Sequence, residues 1–131
     1  MKRLFTYVFL PFFLGSFTLS TINFTSSSVN EVVNALKTGN ASQVSKYFDN
    51  TIDITLLDKS SSYSRSQAEL VLKDFFIING VISFEALHTG DNTGSQYLIG
   101  NLKTKKGNYR TTVYMKQKAD KQVVQELRFE K

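Results

Sequence analysis

The residue best suited to proton chemistry is His88, the chain's one histidine, whose imidazole can exchange a proton near neutral pH. Asp91 follows three residues later in His-Thr-Gly-Asp and could meet the ring across a turn. The phenols Tyr63, Tyr97, Tyr109 and Tyr114 and the acids Asp53, Asp58 and Glu85 fall near predicted strands. A carboxylate in an apolar pocket with a phenol as oxyanion donor is the equipment of an isomerase. Asp53 and Glu85, however, occupy the polar phase of their strands, which puts them in water and not in a pocket. His88 has no motif partner, and a histidine ending an apolar row suits a core or rim position with one nitrogen satisfied. No catalytic residue is assigned.

Other chemistries find less. The chain has no cysteine, which excludes disulfides, thiolate metal sites, cysteine nucleophiles and a lipid-modified amino-terminal cysteine. One histidine with scattered carboxylates gives no metal-ligand spacing. No nucleophile elbow surrounds a serine, and no glycine-rich loop follows a strand to cradle phosphate. Neither a metal nor a cofactor is expected.

The elements that would position these side chains begin with three capping-box patterns: Ser28 with Glu31, Asn40 with Gln43, and Ser64 with Gln67. The first opens a helix carrying Val29, Val32, Val33 and Leu36 and ending before Gly39. The second opens a shorter helix holding Ala41, Val44, Tyr47 and Phe48. The third places Ala68, Val71, Leu72, Phe75 and Phe76 on one stripe, stopped by Asn79 and Gly80.

Between the second and third helices, Ile52, Ile54 and Leu56 alternate with Asp53 and Thr55 as in a half-buried strand, and Asp58 to Ser64 reads as a loop or weak edge strand. After Gly80 the period changes to two. That phase puts Ile82, Phe84, Ala86 and His88 on one face, with Ser83 and Glu85 on the other. Strands at Ser95–Thr104, Tyr109–Lys118 and Gln122–Glu130 come next across polar turns. Gly100 interrupts Tyr-Leu-Ile-Gly-Asn-Leu and marks a candidate bulge where the sheet bends. Four consecutive strands after the helices define an α+β domain of two layers, with amino-terminal helices packed on an antiparallel sheet.

A length of 131 residues with 41% apolar and 13% aromatic side chains suits one domain. Lys2 and Arg3 precede an apolar stretch from Leu4 to Phe17 and then small polar residues, the order of a secretory signal peptide. That stretch falls short of the roughly 20 residues needed to span a bilayer. The expected organisation is a signal peptide over 1–20, a linker over 21–27 and one domain over 28–131. The expected location is periplasmic or secreted, with no stable membrane anchor after cleavage.

Losing the first 20 residues lowers the net charge from +5 to +3. From Asn101 onward nine lysines and arginines face three acids, and such a balance attracts anionic partners or keeps strands soluble. For an exported chain, nucleic acid is not an expected partner.

The segments Ala35–Ser42, Tyr63–Phe76, His88–Gly90 and Tyr97–Thr104 resemble an exported bacterial family known as domain of unknown function 4783. The element order resembles the wider nuclear transport factor 2-like, or cystatin-like, superfamily. That resemblance implies a cone-like fold, with helices on the concave side of a bent sheet and often a pocket at its open end. It transfers no activity and no site residue, because this fold serves many chemistries. The expected function is noncatalytic binding of a small molecule, glycan or protein. Tyr63, Phe84, His88 and Tyr97 are the candidate pocket residues, and a homodimer through an exposed sheet face is compatible with it. The alternative is an isomerase- or hydrolase-type enzyme using His88 with a tyrosine.

Overall fold

The computed structural model describes residues 24–131. Three helices, α1 (Phe24–Lys37), α2 (Ala41–Ser45) and α3 (Arg65–Asn79), accompany six strands: β1 (Phe48–Leu56), β2 (Lys59–Ser64), β3 (Val81–Asn92), β4 (Ser95–Thr104), β5 (Gly107–Lys118) and β6 (Lys121–Glu130). The expected signal peptide lies outside the described residues.

Two of the three expected caps form. Asn40 accepts from the Gln43 amide at 3.0 Å and Ser64 from the Gln67 amide at 3.3 Å, each satisfying a free donor of the first turn. Gly80 closes α3 in the left-handed conformation, φ 69°, its amide donating to Phe76. The Ser28 pattern does not cap: α1 begins at Phe24, four residues earlier, so Ser28 lies inside the helix and part of the expected linker is helical. Val32 and Leu36, both fully buried, fix the helix on the carboxy-terminal side of Ser28, and once a helix is nucleated a further turn costs little. The second helix is also shorter than expected, because Phe48 already belongs to β1.

The strands form one sheet in the order β2-β1-β6-β5-β4-β3. The expected β3 to β6 meander is antiparallel throughout, while β1 lies parallel to β6 and pairs antiparallel with β2 at the edge. Helix α1 packs across β3 and β4, α3 across β1 and β2, and α2 against the other two helices.

Between helices and sheet, Phe75 stacks on Phe129 with ring centroids 4.8 Å apart and meets Tyr109 edge-on at 5.2 Å. Phe76 also meets Phe129 edge-on. The polar groups in this layer are paired: Tyr109 Oη donates to Asn79 Oδ1 at 2.7 Å, and Asn79 Nδ2 donates to the Phe75 carbonyl at 2.8 Å. The concave side is therefore filled here by the protein's own aromatic side chains, with few buried polar groups left over.

The sheet is bent by bulges that the alternation of sequence does not reveal. In β3, Val81 pairs with Thr104 and Ser83 with Lys103, leaving Ile82 extra; Ala86 pairs with Gly100 and His88 with Ile99, leaving Leu87 extra. Each extra residue adds twist and reverses the phase of the strand residues beyond it. Ile82 and Leu87 are accordingly exposed, 52% and 60%, although both are large and apolar. The expectation at Gly100 is met with a refinement: the second bulge lies opposite it, on β3. A side chain at Gly100 would strike the Phe84 ring, which crosses it, and the Glu85 carbonyl.

Candidate functional site

The four candidate pocket residues do not share a pocket. Phe84 is 4% exposed and faces the helices. His88, after the Leu87 bulge, pairs with Ile99 on the opposite face of the sheet. Tyr63 packs against the core from β2, and β2 and β3 are the two opposite edges of the sheet. Only His88 and Tyr97 meet: Tyr97 Oη lies 3.3 Å from His88 Nε2, with both side chains exposed on the outer face. Tyr97 reaches that position by lying across Gly90, its register partner, where a side chain would collide with the ring.

Asp91 does not orient His88. Its Oδ1 accepts instead from Gln96 Nε2 at 2.6 Å. Asp53 accepts from the Ser62 hydroxyl at the exposed sheet edge, in keeping with the polar phase expected of it. Among the described residues no group of three or more His, Asp or Glu is placed to hold a metal ion.

A different region gathers the polar side chains. The β3–β4 and β5–β6 turns lie at one end of the sheet and are tied together by the Gln117 amide, which donates to the Gly94 carbonyl at 2.8 Å. Three hollows adjoin along this rim. The first, about 190 Å³, lies between Val29 and Asn30 of α1 and the Gly90, Asp91, Gln96 and Tyr97 side of the sheet. The second, about 150 Å³, shares Asp91 and Gln96 and adds Gln117 and Gln122. The third, about 380 Å³, shares Gln117 and Gln122 and extends to Lys46, Arg65, Asp120 and Lys121.

Two acceptors in this trough are unmet by the protein. Gln96 Oε1 and Gln122 Oε1 are buried and find no donor. The orientation of the Gln96 amide is set by its neighbour: the Asp91 carboxylate requires the NH₂ end, so the carbonyl oxygen is the end left over.

Beside the trough, Asp49 anchors β1 to the far end of β5 and to β6. Lys118 Nζ approaches Asp49 Oδ2 to 2.8 Å, Gln125 Nε2 donates at 3.1 Å and the Asn50 amide at 2.8 Å. The Lys118 bond, then those from Gln125 and Asn50, hold the Asp49 carboxyl at about 2 against the opposing effect of burial. Gln125 is itself the extra residue where β6 slips against β5 between Tyr114 and Met115.

Sequence reasoning passed over Gln96, Gln117, Gln122, Lys46, Arg65 and Lys121. Each sits at an element end and reads there as ordinary turn polarity; only strand pairing shows that these ends adjoin.

A bent, unclosed sheet with helices on one face defines a nuclear transport factor 2-like α+β domain. The chain belongs to the family designated DUF4783, a domain of unknown function, whose model matches residues 29–130. It is similar to a DUF4783 family protein from Bacteroides uniformis, with 30% identity, 78% of this chain and 94% of that one covered, and a TM-score of 0.76. A DUF4783 family protein from Bacteroides fragilis shows 31% identity over 77% and 95% of the two chains, with a TM-score of 0.74. A nuclear transport factor 2-like protein of unknown function from Cytophaga hutchinsonii shares the fold at 10% identity, covering 79% and 86%, with a TM-score of 0.59. A comparison with curated proteins gives no match.

Proposed function

We propose that this is an exported, noncatalytic domain that binds a hydroxyl-rich ligand, a glycan, along the rim trough. The observation that carries the reading is the pair of buried, unmet acceptors, Gln96 Oε1 and Gln122 Oε1. Leaving a buried acceptor unsatisfied costs about 1–3 kcal/mol, so a fold that keeps two of them gains from a ligand that donates there. Sugar hydroxyls are such donors. The Asp91 carboxylate beside Gln96 adds acceptor capacity at the same hollow. The filled concave layer argues against a deep apolar ligand. The leader-like first residues supply the expectation of export.

An enzymatic reading would rest on the His88–Tyr97 contact. That pair stands in water on the outer sheet face, and Asp91, the nearby acid in sequence, is engaged by Gln96. Binding is the better supported of the two.

The test is a titration of the isotope-labelled protein with neutral oligosaccharides, monitored by amide NMR. Shifts confined to the side-chain NH₂ signals of Gln96 and Gln122 and the backbone from Asp91 to Tyr97 are expected. No shifts with any oligosaccharide, or shifts confined to the outer face around Thr112 and Arg128, would overturn the proposal.

A further inference from the structure

The third hollow differs in charge from the other two. Lys46, Arg65 and Lys121 line it, and its one acid is Asp120. Among the described residues none of these three cations has a carboxylate within 4 Å, whereas Lys118 nearby is held by Asp49. Lys46 donates to the neutral Gln43 Oε1 at 3.1 Å and Arg65 to the neutral Asn50 Oδ1 at 3.3 Å.

Arg65 is also the first residue of α3, a helix of 15 residues whose first turn contains no acid. A cation at that end opposes the positive pole of the helix, where an anion would be favoured. Three uncompensated cations and a helix start therefore carry one sign of charge into one hollow. Gln122 lines the same hollow, and its buried Oε1 has no donor within the protein. A simple anion would answer the cations and leave this acceptor unmet. A neutral sugar would do the reverse.

We infer that the ligand of the rim trough is an acidic carbohydrate, with its carboxylate or sulfate at Lys46, Arg65 and Lys121 and its hydroxyls toward Gln122 and Gln96. This inference rests on the glycan reading above and narrows it to one chemical class. A phosphodiester chain matches the cations but brings few hydroxyl donors. A flat anionic membrane does not enter a hollow between a hairpin turn and two helix ends.

The experiment compares, on the full chain at low and moderate salt, a neutral oligosaccharide, the uronate oligosaccharide of the same length, inorganic sulfate, single-stranded DNA and anionic phospholipid vesicles. The uronate is expected to bind about tenfold more tightly than the neutral sugar at low salt, the sum of several weak exposed charge contacts. That advantage is expected to shrink with added salt and to disappear in Arg65→Gln and Lys121→Gln. Lys103→Gln, on the outer face, should leave it intact. Equal binding of neutral and acidic sugars would overturn the inference while the glycan reading stands. No binding of either sugar overturns both. Tighter binding of sulfate alone, DNA or vesicles than of the uronate would overturn the carbohydrate class.

Discussion

Phe84 and His88, four residues apart on β3, face opposite sides of the sheet. Phe84 pairs with the buried Leu102 and its ring crosses Gly100, whereas His88 pairs with Ile99 on the outer face. The single unpaired residue between them, Leu87, reverses the alternation. This decides that the histidine belongs to a solvent-facing pair with Tyr97 and not to the aromatic layer beneath the helices.

Removing Leu87 should therefore straighten β3 without turning over the side chains beyond it. Leu87→Ala is expected to change stability by no more than about 0.5 kcal/mol, because the side chain is mostly in water. Deleting the residue brings His88 directly after Ala86, so that plain alternation keeps His88 on the outer face opposite Ile99 and only the local bend is lost. Cross-strand NOEs between His88 and Ile99 should survive the deletion, and their loss in a folded variant would refute the bulge assignment.

Phe76 is 4% exposed and edge-on to Phe129, so truncation leaves a void in a layer bounded by helix and sheet. Phe76→Ala is expected to lower the unfolding free energy by about 3–5 kcal/mol. An unchanged denaturation midpoint would remove this side chain from the core.

Asp49 makes stability depend on acid. Its carboxyl sits at about 2 in the folded chain against an ordinary 3.8, so the folded state binds the proton less readily than the unfolded one. The contribution is fully present above about pH 4 and is lost as pH falls toward 2. Because Lys118 is half exposed, its size is expected to be about 1–2 kcal/mol and not the full value of the shift. Asp49→Asn should lie below the native protein at neutral pH and converge with it near pH 2. Parallel stability curves down to that pH would show that the carboxylate is not the titrating group.

Gln122 should separate stability from binding. Gln122→Leu removes a buried acceptor that has no donor, so stability is expected to hold or rise by about 1 kcal/mol. Affinity for the oligosaccharide should fall at the same time. A variant that loses stability and binds normally would assign Gln122 to the fold alone.

Much of the architecture was legible in the residues because its signals are local. The caps at Asn40 and Ser64 and the stop at Gly80 depend on neighbours within a few positions, as does the stripe of Ala68, Leu72, Phe75 and Phe76. The chain of strands from β3 to β6 could be read from alternation and turn residues. The absence of cysteine and the family resemblance were equally direct.

The features that required the tertiary structure are those that depend on register. An extra residue such as Ile82 or Leu87 has the composition of any strand residue and is revealed by its partner strand, so the facing of His88 could not be read in advance. The parallel pairing of β1 with β6 is likewise a long-range choice, made where the buried Ile54 and Leu127 come into register beneath α3. The trough is the clearest case. Asn30, Arg65, Gln96 and Gln122 belong to four elements, each ordinary alone, and the folded domain brings them to one rim where the β3–β4 and β5–β6 turns lie side by side.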